Sequence, residues 1–134
     1  QHLETCNENF MPPLSDRVNI KEYGLKLTRI GMRFEAWADE TLVGLVAAYC
    51  NSAHDGPAFI TNVSVELPHQ GQGVARRLLT NCKSYSEEKF FQCIQLEVNS
   101  RNSAALSLYQ DEGFIISGSR DDMLTMSCKL RSDR

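Results

Sequence analysis

The feature that most constrains this chain is a change of hydrophobic period at Met32. From there Met32, Phe34, Ala36 and Ala38 face one way and Arg33, Glu35 and Trp37 the other, and Asp39-Glu40-Thr41 makes a turn before the nearly apolar run Leu42–Tyr49. Period-two alternation on both sides of a short turn predicts an antiparallel hairpin. A sheet that opens with a hairpin is not a simple series of parallel strand–helix–strand units.

The remaining elements follow from the same reading. Leu3, Cys6 and Phe10 recur at i, i+3 and i+7, which predicts a short helix over His2–Phe10 stopped by Pro12-Pro13. A second helix is expected from Asn19 to Leu27, where Ile20, Tyr23 and Leu27 share a face and Asn19-x-x-Glu22 resembles a capping box. Cys50–Pro57 is turn-rich, and the β-branched Ala58–Val65 reads as a third strand ended by Pro68. Val74, Leu78, Cys82 and Tyr85 mark the buried stripe of a helix running to Lys89, and Cys93–Val98 alternates as a strand. Asn102 caps a helix with Ala105, Leu108 and Tyr109 on its inner face, and Gly113-Phe114 suits a left-handed cap with an apolar contact after it. Phe114–Ser119 and Met123–Leu130 close the sheet around Arg120-Asp121-Asp122. The order α, α, β, β, β, α, β, α, β, β predicts an α+β fold with a mixed sheet.

Bulk properties narrow the function. At 134 residues, with no Gly/Pro/Ser linker and no internal repeat, residues 1–134 are expected to form one domain. Leu42–Tyr49 is far shorter than the ~20 residues that span a bilayer, and no signal peptide opens the chain, so a soluble, cytoplasmic protein without membrane contact is expected. A net charge of −3 argues against a duplex nucleic-acid footprint, leaving only a local cationic patch at Arg76 and Arg77. Five cysteines never form C-x-x-C, and the three histidines lack ligand spacing, so no metal site and no disulfide framework are expected.

"HQGQGVARRLLTNC", residues 69 to 82, carries the most specific chemistry. Gly71 and Gly73 between a strand and a helix let backbone N–H groups converge on an anion at a helix N-terminus. A glycine-rich turn that binds nothing is the competing reading. A P-loop requires G-x-x-x-x-G-K-[ST], which is absent, and the dinucleotide fingerprint requires a small residue where Arg76 stands.

A third pattern matches better. Gln70-x-x-Gly73-x-Ala75, directly after "ITNVSVELP", resembles the acetyl-CoA motif Q/R-x-x-G-x-G/A of the GNAT N-acetyltransferase family, and "LEVNSRNSAALSLYQDEGF", Leu96 to Phe114, is similar to the family's later strand–helix unit. The resemblance covers about Met32 to Leu130. It implies a mixed, mostly antiparallel twisted sheet splayed between the family's fourth and fifth strands, with flanking helices. Members begin with a strand ahead of the first helix, whereas His2–Phe10 already reads as helix here, and the family's usual proline stands one residue before Pro68.

The resemblance also implies roles. Acetyl-CoA is the co-substrate: the strand backbone of Val63, Ser64 and Val65 pairs with the pantetheine arm, and the amides of Gln70, Gly71, Gln72, Gly73, Val74, Ala75 and Arg76 hold the pyrophosphate. Arg76 or Arg77 neutralises a CoA phosphate, or is only the solvated face of its helix. Asn102 contacts the CoA arm, although an N-cap role alone accounts for it. Tyr109 protonates the departing thiolate, or is only a core aromatic. The proton acceptor stays open among Glu66, Glu35 and water, each carboxylate being equally readable as solvated, and Asn62 is a polar determinant of the acceptor cleft. The implied reaction is direct attack of a primary amine on the thioester, polarised by a backbone N–H of the Val63–Val65 strand, with no nucleophilic cysteine. Phe10–Arg29 and Cys50–Pro57 would select the acceptor. A small metabolite amine, such as an amino sugar or amino acid, leads, with a protein N-terminus, a lysine, or a non-catalytic acyl-CoA-binding module as alternatives. Many relatives pair, so a homodimer is the assembly to test.

Overall fold

The computed structural model describes residues 2–10, 13–16, 18–50 and 56–130. Pro12, most of the turn-rich stretch after Cys50 and His54 with it lie outside the described residues.

The N-terminal segment departs from expectation. Helix α1 spans only His2–Thr5, a 3-10 turn follows at Asn7–Asn9, and Phe10 is already extended. The cause is Asn7, whose Oδ1 accepts from the Ser15 N–H at 2.7 Å and whose Nδ2 donates to Ser15 Oγ at 3.1 Å. A short amide that bonds a passing loop competes with helix continuation. The apolar spacing still buries Leu3 and Cys6. Helix α2, Ile20–Ile30, starts at the expected cap, with Asn19 Oδ1 accepting from the Glu22 N–H at 3.1 Å, and runs one turn further than its apolar face suggested.

The hairpin pairs β1 (Met32–Ala38) with β2 (Thr41–Tyr49). Its turn is two residues, not three, because Asp39 takes φ +55° and Thr41 already pairs with Ala38. Strand β3 (Ala58–Val65) pairs antiparallel with β2, helix α3 spans Val74–Glu88, and β4 (Cys93–Asn99) leads to helix α4 (Ser103–Asp111). β5 (Ile115–Arg120) and β6 (Met123–Lys129) complete one six-stranded sheet in the order β1-β2-β3-β4-β6-β5. Among the described residues no helix is long and apolar enough to cross a membrane.

Two apolar cores cover the two faces. Leu78, Leu79 and Cys82 of α3 join Tyr109 of α4, Phe114 and the sheet residues Val46, Ile60, Ile94 and Leu96 in the larger. Leu3, Leu14 and Leu27 meet Leu45 and Ala47 in the smaller. Leu79 and Ser86 are buried on α3 beyond the expected stripe, whereas Val74 and Tyr85 are half-buried.

Two irregularities place the site. Ala47 pairs with Asn62 but Ala48 pairs with Ile60, so Thr61 is unopposed and β3 bulges there. Ile60 and Val63 therefore both pack on the larger core, and Asn62 turns to the α1 side. The second irregularity is the parallel β3–β4 junction, which holds only at Ala58↔Ile94 and Phe59↔Gln95 before the strands part.

Candidate active site

Parting of β3 from β4 opens a cleft of about 370 Å³. Its walls are Phe59–Val63 of β3, Leu96–Asn99 of β4, and Asn102, Ala105, Leu108 and Tyr109 of α4, with Asn9 and Phe10 at the α1 side. The β4-facing edge of β3 beyond Phe59 has no β4 partner, so its backbone is available to an added extended chain. Tyr23 steadies this edge: its hydroxyl donates to the Thr61 carbonyl at 2.9 Å, at the bulge itself.

The loop before α3 is built for positive φ. Gly71 and Gly73 stand at +78° and +82°, and a Cβ on either would meet nothing within 4 Å. The glycines are thus required by backbone conformation, not crowding. Gly73 is the N-cap and offers no side chain, while the first intrahelical bond runs from the Arg77 N–H to the Gly73 carbonyl. The first-turn N–H groups of Val74, Ala75 and Arg76 precede that bond and point out of the helix end. Gln70 Nε2 donates to the Val65 carbonyl at 2.9 Å, tying the loop to the end of β3, and Gln72 is exposed.

Arg76 turns toward α4. Its Nη1 lies 2.6 Å from Glu112 Oε2 and its Nη2 3.4 Å from Asp111 Oδ2. Asn102 both caps and lines: Oδ1 accepts from the Ala105 N–H at 3.2 Å, and the residue borders the cleft. Tyr109 is 7% exposed, and among the described residues its hydroxyl makes no hydrogen bond. Burial pushes its pKa up to about 12, which keeps the phenol protonated and able to donate.

The carboxylates divide differently from expectation. Glu66 and Glu35 open together onto a separate groove of about 910 Å³ beside His2 and Trp37, which shares no lining residue with the Tyr109 cleft. Glu35 is also engaged, by Arg33 at 3.2 Å and by the Trp37 indole N–H at 3.1 Å. Glu97 is the carboxylate that lines the cleft with Tyr109. In sequence Glu97 is only the polar partner between Leu96 and Val98 in an alternating strand, although "LEV" opens the same strand–helix unit that carries Asn102 and Tyr109.

Ser64 turns its hydroxyl to His2, while Val63 packs on the larger core and Val65 is buried. The cysteines are free: burial pushes the Cys6 thiol up to about 11 and the Cys82 thiol up to about 12. Thiols held neutral in this way are poor nucleophiles. Among the described residues no group of three or more His, Cys, Asp or Glu side chains is arranged to hold a metal ion.

Comparison with known proteins follows the same geometry. The model of the acetyltransferase (GNAT) family matches residues 3–114. Over 85 residues the chain is 32% identical to a streptothricin acetyltransferase of Escherichia coli, covering 63% of this chain and 48% of that protein. The chain thus aligns with about half the length of that curated relative. The fold superposes on the ribosomal-protein-S18-alanine N-acetyltransferase of Escherichia coli with a TM-score of 0.77 at 18% identity, over 98% of this chain and 90% of that one. It superposes on a GNAT family acetyltransferase from Elizabethkingia anophelis with acetyl-CoA bound with a TM-score of 0.70 at 19% identity, over 82% and 83%.

Proposed function

The chain belongs to the acetyltransferase (GNAT) family, and from that premise we propose that it transfers the acetyl group of acetyl-CoA to the primary amine of a small molecule by direct attack. The observation that carries this reading is the opening of β3 from β4, which presents an unpaired strand edge, a buried protonated phenol and a carboxylate around one cleft.

Acetyl-CoA supplies the activated acyl carbon, and this chain's residues do the rest. The open N–H groups at the start of α3, with the glycine backbone of Gly71 and Gly73, suit the pyrophosphate. The free edge of β3 pairs with the amide-bearing arm and directs a backbone N–H at the thioester oxygen. The amine nitrogen forms a bond to the carbonyl carbon, and its proton passes to Glu97 directly or through water. The carbon–sulfur bond then breaks, and Tyr109 donates its hydroxyl proton to the departing thiolate. Glu97 replaces Glu66 in this scheme because the second groove does not meet Tyr109.

A small acceptor is favoured by the 32% identity to a streptothricin acetyltransferase. A protein N-terminus is the second reading, favoured by the 98% superposition on an enzyme whose name is that of a protein-alanine N-acetyltransferase. The experiment is release of CoA thiol from acetyl-CoA with streptothricin, glucosamine, lysine and an alanine-initiated peptide. Tyr109→Phe is expected to lower kcat roughly 10–100-fold while the KM for acetyl-CoA holds. Binding of acetyl-CoA with no turnover of any amine would make the chain an acyl-CoA-binding module instead.

A further inference from the structure

Acetyl-CoA is one molecule with two ends, and this chain offers them two different helices. The open N–H groups suited to the diphosphate stand at the start of α3, and the phenol suited to the thiolate is on α4. The arm between those ends has a fixed reach once extended, so the two helices must stand at a matching separation. The chain from α3 to α4 runs through β4, which parts from β3 beyond Phe59↔Gln95, so strand pairing alone does not set that separation. The larger core joins the helices by apolar contacts, which carry no direction.

A polar clamp adds the direction that those contacts lack. Arg76 and Lys83 share a face of α3, about two turns apart. Arg76 Nη1 lies 2.6 Å from Glu112 Oε2, and Lys83 Nζ donates to the Glu112 carbonyl at 2.7 Å. Thr80, between them, stands 3.4 Å from Glu112 Oε1. Three side chains of α3 thus converge on the residue that caps α4. The Glu112 N–H in turn reaches the Tyr109 carbonyl at 3.1 Å, so the clamp closes one turn from the phenol.

Burial keeps the clamp shut. The Glu112 side chain is 10% exposed and the Arg76 side chain 49%, so the carboxylate is the member that water serves poorly. Withdrawing Arg76 would leave a mostly buried charge without its cation. Asp111, 63% exposed and 3.4 Å from Nη2, adds little. Arg76 is therefore committed to Glu112, and the diphosphate is left to the backbone N–H groups. We infer that Glu112 is a positioning residue for Tyr109: by holding Arg76 and Lys83 it fixes the helix of the proton donor against the helix of the diphosphate site. This rests on the acetyltransferase reading and adds to it the residue that sets the phenol at the sulfur.

The test reads kcat, coupling and ring position. With acetyl-CoA and whichever of streptothricin, glucosamine, lysine and the alanine-initiated peptide the wild type acetylates fastest, Glu112→Ala is expected to lower kcat roughly tenfold. The same substitution in a Tyr109→Phe protein is expected to lower it less than about twofold, since changes that act through one group are not additive. An unchanged kcat in Glu112→Ala, or its full loss repeated in the Tyr109→Phe background, overturns the assignment while leaving acetyl transfer intact. Arg76→Gln is expected to lower kcat more than it raises the KM for acetyl-CoA; the reverse makes Arg76 a phosphate ligand and overturns the clamp. Should Glu112→Ala fail to fold, Glu112→Gln, which keeps the size of the side chain and loses its charge, carries the same expectations.

Fluorine NMR of protein carrying 3-fluorotyrosine reads the ring without turnover. Of the signals from the four tyrosines, that of Tyr109 is the one lost in Tyr109→Phe. It is expected to move in Glu112→Ala while those of Tyr23 and Tyr49 hold, and an unmoved signal overturns the positioning role even where kcat falls. No thiol release by the wild type with any of the four amines sinks the acetyltransferase reading and the catalytic part of this assignment together, with the NMR arm still deciding whether Glu112 sets the ring.

Discussion

The Phe114 N–H donates to the Tyr109 carbonyl at 2.9 Å while the two rings meet edge to face with centroids 6.0 Å apart. Together with the Gly113 N–H on Gln110 at 3.1 Å, this is a Schellman cap whose apolar contact involves the phenol of the cleft. The device that ends α4 therefore also fixes the Tyr109 ring.

Breaking the cap should loosen both the fold and the site. Gly113 stands at φ +97°, so Gly113→Ala is expected to cost about 1 kcal/mol. Phe114 is 1% exposed, and Phe114→Ala is expected to cost about 3–5 kcal/mol. Urea unfolding measures both; a Phe114→Ala protein as stable as wild type would remove the cap from the account.

The division of carboxylates predicts unequal losses. Glu97→Gln is expected to lower kcat roughly 100-fold. Glu66→Gln, in the other groove, should lower kcat far less. A larger loss in the Glu66 variant reverses the assignment.

Substitution of the loop glycines should separate binding from folding. Gly71→Ala and Gly73→Ala introduce no clash but hold alanine at positive φ, a strain of about 1–2 kcal/mol each. The fold should survive, and the rise in melting temperature on adding acetyl-CoA should shrink, since that rise depends on affinity for the native state. A rise of wild-type size in Gly73→Ala would leave the loop without a phosphate role.

His2 gives stability a pH dependence of definite sign. Burial lowers its pKa from 6.5, so below that value the unfolded chain binds a proton that folded His2 refuses. The stability it contributes is present above 6.5 and is lost as pH falls through the lower folded value. Urea unfolding between about pH 8 and about pH 5 should show this loss, and His2→Gln should diminish it. An undiminished loss in that variant would assign the titration to other groups.

What could be read in the sequence tracks how local its cause is. Asn19 and Asn102 were legible as caps because a cap needs only a side-chain oxygen and an N–H three residues on. The limits of Ala58–Val65 and the left-handed Gly113 were legible for similar reasons. The long N-terminal helix failed because Asn7 bonds Ser15, a partner eight residues away that periodicity does not register.

The sequence by itself determined the order of elements, the glycine loop before α3 and the placement of Tyr109 on the inner face of α4, all consequences of period, capping and backbone freedom within a few residues. Only the tertiary structure decided which side chains share a cleft. Strand alternation puts a residue on one of two faces, but an unopposed Thr61 exchanges those faces within β3, and the parting of β3 from β4 opens the cleft that Glu97 lines. Glu66 and Glu97 look equivalent in sequence, and neither local pattern encodes the long-range pairing that sets Glu97 on the cleft that Tyr109 also lines and leaves Glu66 in another groove.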